Sequence, residues 1–169
     1  MVQKVVGFLI YAIIFVVGWA LLWVYTTFGF YIVEGAEMTP HIKPEDYKLI
    51  SAPTDGLLKT LRPGDIVLYE RSWPGRHRQN KWLGRVVAVP GDRVKIDGGD
   101  IVVNGKKYPM DTVTPTFRTT ETLSEILVPR DTVYIMHDNR QYLSAKTSYG
   151  FSDSRGIGPI GIYSIVGKY

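Results

Sequence analysis

The stretch Trp82-Leu83-Gly84-Arg85-Val86-Val87-Ala88-Val89-Pro90-Gly91-Asp92-Arg93-Val94-Lys95-Ile96-Asp97 decides how this chain folds. Two runs rich in valine and isoleucine, Trp82–Val89 and Arg93–Asp97, flank a Pro-Gly-Asp break, which reads as strand, turn, strand. Outward from it, short runs of the same character recur at Tyr47–Ala52, Asp65–Glu70, Ile101–Val103, Thr132–Met136 and Ile162–Val166. Gly98-Gly99 and Asn104-Gly105 are hairpin signals, because tight two-residue turns demand positive φ. Glu121–Leu127 alone hints at a short helix. The expectation is an all-β, barrel-like domain with a small hairpin subdomain at about 95–125.

The N-terminal part follows another pattern. From Val5 to Val33 there is no charged side chain, and Val5–Val24 is almost purely apolar. About 20 such residues cross a hydrocarbon core as a helix, whereas a cleaved secretory signal has an apolar run of only about 7–15. Trp23, Tyr25, Phe28 and Tyr31 crowd the far end, as an interfacial aromatic belt does. Residues 1–33 are therefore expected to be a membrane anchor with its span at about 5–29, and residues 34–169 a domain outside the cytoplasm. Lys4 before the span favours a cytoplasmic N-terminus.

Beyond Val33 lie 19 basic and 16 acidic residues, a formal +3, which gives no reason to invoke nucleic acid. The chain has no cysteine, hence no disulfide framework and no thiolate ligands for zinc. His41, His77 and His137 are too scattered to suggest a metal site, and no cofactor is expected. Arg71–Trp82 interleaves Trp73 and Trp82 with Arg71, Arg76, His77, Arg78 and Lys81. It reads either as a loop resting on lipid headgroups or as a solvated hairpin tip with its tryptophans tucked inward.

Three segments in fixed order resemble type I signal peptidases. Glu34-Gly35-Ala36-Glu37-Met38-Thr39-Pro40, running on to Asp46, is similar to the family's Gly-x-Ser-Met-x-Pro segment. Gly64-Asp65-Ile66-Val67 and then Gly84–Asp92 are similar to its Gly-Asp-Ile-Val and Lys-Arg-Val-x-Gly-x-Pro-Gly-Asp strands. Met136-His137-Asp138-Asn139-Arg140, followed by Asp153-Ser154-Arg155-x-x-Gly158, is similar to its Gly-Asp-Asn-Arg and Asp-Ser-Arg-x-x-Gly pair. The resemblance spans nearly the whole domain, and the apolar segment just upstream fits it.

The departures bear on chemistry. Where the family places its nucleophilic serine, this chain has Glu37; where it places its general-base lysine, Gly84. A serine hydroxyl is inert until a base takes its proton, and glycine has no side chain to titrate. His137 replaces a glycine, Phe151 stands where members often carry a serine, and 141–151 reads as an insertion. Asp138, Arg140, Asp153 and Arg155 persist, and the resemblance implies a structural role for them.

Two functions follow. The first is a non-catalytic module that grips extended polypeptide by β-augmentation. The resemblance implies a groove lined by Tyr31, Ile32, Val33, Glu37, Met38, Pro40, Arg85 and Val86, with Phe30 leading into it. The description is most like signal-peptidase-like proteins of Gram-positive bacteria that assist pilin polymerisation beside a sortase, so a pilin or other exported polypeptide is the expected partner. Glu37 would be a charged contact to a client lysine, or a carboxylate facing water. The second function is cleavage of signal peptides by relocated chemistry. Its candidate nucleophiles are Ser51, Ser144, Ser148, Ser152 and Thr39, and its candidate bases Lys43, Lys81 and Lys146. Ser144 and Lys146 would share one face of an extended loop.

Overall fold

A computed structural model describes residues 2–54, 56, 59–71, 80–109, 119–142 and 152–169. Helix α1, Val2–Thr27, contains a stretch from Val5 to Thr27 with mean hydropathy 2.7, none of it buried against the rest of the protein. It is long and apolar enough to cross a membrane. It ends earlier than the expected span, because Phe28–Ile32 is strand β1, hydrogen-bonded from Phe28↔Ser51 to Ile32↔Tyr47 along β2, Tyr47–Ser51.

The remaining strands are β3 (Ile66–Arg71), β4 (Asn80–Ala88), β5 (Arg93–Asp97), β6 (Asp100–Val103), β7 (Lys106–Lys107), β8 (Leu123–Leu127), β9 (Thr132–Met136), β10 (Ile160–Gly161) and β11 (Ile165–Lys168). A short helix α2, Ser154–Ile157, precedes β10, and a 3-10 turn, Ile162–Ser164, takes the first part of the run read as the last strand. Seven strands form one sheet in the order β1-β2-β11-β3-β4-β9-β10, and four form a second in the order β7-β6-β5-β8.

The expectation of an all-β barrel is corrected. The fold is mixed α/β, with two open sheets and one N-terminal apolar helix. Closure requires the first and last strands of a sheet to pair. Here β1 pairs only with β2, and β10 is a two-residue strand paired only with β9. Glu121–Leu127 is corrected too. Leu123–Leu127 is an edge strand, with Leu123 opposite Ile96 and Ile126 opposite Val94. Five residues are too few to stabilise a helix alone, whereas cross-strand packing rewards them at once.

Three apolar clusters fill the interior. One gathers Val67, Tyr69, Trp82, Val86 and Ile135 on one side of the large sheet. A second joins the sheets through Val87, Ala88, Val94, Ile96, Ile101, Tyr134 and Met136. The third, with Val33, Met38, Ile42, Ile50, Leu68 and Leu83, seats the loop after β1. Trp82 is therefore a core residue; Trp73, Arg76, His77 and Arg78 lie outside the described residues, as does 110–118 within the expected hairpin region.

Candidate active-site region

The loop after β1 places Glu37. The Val33 amide donates to Asp46 O (3.0 Å), and the Ile42 amide to Met38 O (3.0 Å), which winds residues 38–42 into a turn. With Met38 and Ile42 as apolar plugs, Glu37 is carried inward to 1 % exposure, so it does not face water. Its carboxylate Oε1 accepts the Leu83 amide of β4 at 3.3 Å, and its backbone carbonyl accepts the Asn139 amide at 2.9 Å. The two positions singled out from the sequence, Glu37 and Gly84, are thus brought together: Glu37 binds the residue immediately before Gly84.

Gly84 is more than a missing side chain. It pairs with Val67 of β3 and is buried. A Cβ built there would lie 2.4 Å from Ile135 Cγ2, closer than real Cβ contacts come, and a tight 3.0 Å from Tyr69 Cε1. Core side chains occupy the space a lysine stem needs. Behind them, Tyr69 Oη is 2.9 Å from His137 Nε2 and donates to Ser152 O at 3.1 Å. Complete burial lowers the His137 pKa to about 4, so the ring is neutral near pH 7.

The four persistent charged residues form two groups. Arg85 grips Asp138 with both ends of its fork, Nε to Oδ1 at 2.8 Å and a second nitrogen to Oδ2 at 2.6 Å, and donates to Gly64 O at 2.9 Å. His41 Nδ1 lies 3.5 Å from the same carboxylate. Deeper in, Asp153 caps α2 by accepting the Arg155 amide (3.1 Å), pairs with the Arg155 guanidinium (2.8 Å) and accepts the His137 amide (3.1 Å). Burial acts to raise the Asp153 pKa, and electrostatic interaction with the His137 ring and the Arg155 guanidinium, with hydrogen bonds from both residues, more than reverses it. Arg155 also reaches Glu121 (3.1 Å) and Arg140 O (2.8 Å), while Arg140 donates to Gly99 O in the β5–β6 turn. Together the two arginines tie the large sheet to the small one.

A family-wide sequence model described as signal peptidase, peptidase S26, matches residues 6–169. The chain belongs to the signal peptidase family. Signal peptidase I P of Bacillus subtilis subsp. natto is 24 % identical over 80 % of this chain and 75 % of its own length. Signal peptidase I of Bacillus caldolyticus is 26 % identical over 83 % and 76 %, and signal peptidase IB of Staphylococcus aureus 27 % identical over 94 % and 81 %. Among solved structures, a signal peptidase I from Enterococcus faecalis superposes with a TM-score of 0.46 and 17 % identity, covering 65 % of this chain and 97 % of the other.

Within this family member the other predicted positions divide by exposure. Val33, Met38 and Val86 are buried in the core, Ile32 and Pro40 are exposed, and Tyr31 and Arg85 are half-buried. Ser51 spends its hydroxyl on Lys168 O (2.8 Å), and Ser152 is fully buried. Thr39 Oγ1 is buried, while Lys43 and Lys81 are exposed. Ser144, Lys146, Ser148 and Phe151 lie outside the described residues. Sequence reasoning did not find Ile135 and Tyr69 as the groups that fill the lysine's space, because nothing in a strand sequence tells which residue of the next strand leans over a given glycine.

Proposed function

We propose that this member of the signal peptidase family holds extended segments of exported polypeptides outside the cytoplasm without cutting them by serine–lysine chemistry. The observation that supports the reading is the closure of the base position by Ile135 and Tyr69 beside a buried carboxylate at the nucleophile position. The free edge of β4 supplies what gripping needs. It pairs with β3 from Asn80 to Arg85, but with β9 only from Arg85 onward, so its other edge over Lys81–Gly84 faces no strand among the described residues. Such an edge accepts an extended peptide through main-chain hydrogen bonds. The resemblance to signal-peptidase-like pilus-assembly proteins makes a pilin segment, with a sortase nearby, the first client to test. The N-terminus of α1 would lie in the cytoplasm.

A second reading is signal-peptide cleavage by an unconventional site. It is favoured by the names of the three relatives described above, signal peptidase I P, signal peptidase I and signal peptidase IB, each aligned over three quarters or more of its length. One experiment separates the two: incubate the full-length protein in detergent with a signal-peptide substrate. No turnover, together with loss of pilin polymerisation on gene deletion while bulk secretion continues, supports the gripping reading. Turnover abolished by Ser144→Ala or Lys146→Ala overturns it.

A further inference from the structure

The gap between the β1 end of the large sheet and the free edge of β4 is bridged by two side chains. Tyr31 Oη donates to Lys81 O at 3.4 Å, and the Leu83 amide donates to Glu37 Oε1 at 3.3 Å. Lys81 O and Leu83 N–H flank Trp82, and on a strand the polar groups of residues two apart point to the same edge. They are the acceptor and donor that a single residue of an added parallel strand satisfies. Tyr31 therefore stands where an incoming N–H would, and Glu37 where an incoming C=O would.

Two further features fit this substitution. A Cβ on Gly35 would meet Glu37 Oε2 at 2.1 Å and Tyr142 Oη at 2.7 Å, so a glycine at 35 leaves room for the Glu37 side chain as it lies against β4. Tyr31 and Lys81, the two ends of one bridge, also line an apolar cleft of about 300 Å³ with Ile50, Leu68 and Val166, so a displaced tyrosine leaves open apolar space beside the exposed strand edge. Burial first, and then the nearby Glu37 and Glu34 carboxylates, raise the Tyr31 phenol pKa, which keeps its hydroxyl a donor.

We propose that Tyr31 and Glu37 form an internal latch that imitates a bound peptide, and that an extended polypeptide binds by displacing it. The proposal rests on the gripping function above and adds that the resting groove is occupied by the chain's own side chains. Ligand binding then competes with two intramolecular hydrogen bonds, each of modest net worth.

The test uses the full-length protein in detergent micelles, the Tyr31→Phe and Tyr31→Phe/Glu37→Ala variants, and a fluorescein-labelled segment of a pilin as probe. Tyr31→Phe removes one hydroxyl at a half-buried position and is the variant least able to disturb folding. It should tighten probe binding by about two- to tenfold, the value of one competing hydrogen bond. Independently of any probe, amide exchange at Leu83 should accelerate in Tyr31→Phe/Glu37→Ala. Unchanged Leu83 exchange, or probe binding to Tyr31→Phe no tighter than to the parent, overturns the latch while leaving the gripping function intact. Probe binding to neither parent nor variants, with every protein folded by circular dichroism, overturns both.

Discussion

Ile135 Cγ2 lies 2.4 Å from the point where a Cβ on Gly84 would sit. A side chain at position 84 would meet Ile135 and Tyr69 first, so a lysine there requires the core around it to shift.

The first prediction concerns restoring the missing pair. Glu37→Ser with Gly84→Lys should give no measurable cleavage of a signal-peptide substrate, because the lysine stem collides with Ile135 and Tyr69. Gly84→Ala by itself should destabilise by about 1–3 kcal/mol, as overpacking of a filled core does. In an Ile135→Ala background the same change should cost less, and a double-mutant cycle in urea measures that coupling. Efficient turnover by the restored pair would show that the core yields more readily than its packing implies.

Acid should act through His137. Its folded pKa of about 4 lies below its ordinary 6.5, so between those values the unfolded chain binds a proton that the folded chain refuses. Stability is then complete above about pH 6.5 and falls as the pH drops toward 4, by about 3 kcal/mol in all. Asp153, whose folded pKa is lowered, adds a loss that begins below its ordinary 3.8. Urea midpoints across pH 4–7 should slope steeply in the parent and flatten in His137→Asn.

Removing the Tyr69 hydroxyl should be costly despite the ring's apolar setting. Tyr69→Phe keeps the packing against Trp82 but takes a hydrogen-bond partner from both His137 Nε2 and Ser152 O. Leaving buried groups in that state costs about 1–3 kcal/mol. A thermal melt unchanged from the parent would contradict it.

Arg155→Ala should be the most damaging of the charge deletions. It leaves the Asp153 carboxylate buried without its cation and cuts the tie to Glu121, for an expected loss of about 3–5 kcal/mol. Asp153→Asn in the same background should recover part of it, since the uncompensated charge is gone. Denaturation followed by tryptophan fluorescence reads both.

How far the fold was legible depends on what each residue needs to know about distant ones. Trp82–Val89, Arg93–Asp97 and Thr132–Met136 announce themselves as strands because alternation and β-branching are local. Phe28–Ile32 was hidden within an uncharged run, where a membrane helix and a β strand draw on the same residues. Lys106–Lys107 and Ile160–Gly161 are too short to carry any period, and openness of the sheets is a matter of whether β1 and β10 meet, which no single strand records. In the candidate site, the resemblance to the family's motifs is what singles out Glu37 and Gly84. That Glu37 turns inward to the Leu83 amide, and that Tyr31 reaches Lys81, depends on the curl of the whole sheet.

Helix α1 ends at Thr27 and β1 begins at Phe28, with no linker residue between them, and the Trp23 ring meets Phe28 edge-on across the junction. With α1 in a bilayer, the domain begins at the membrane without an intervening loop. Phe30 and Leu49 stand near that junction, with Ile32 and Tyr47 at the far end of the same strand pair, and all four are exposed. Under the proposed gripping function, a polypeptide passing far from the bilayer would not meet the edge of β4, so reach would select clients before any side chain is read.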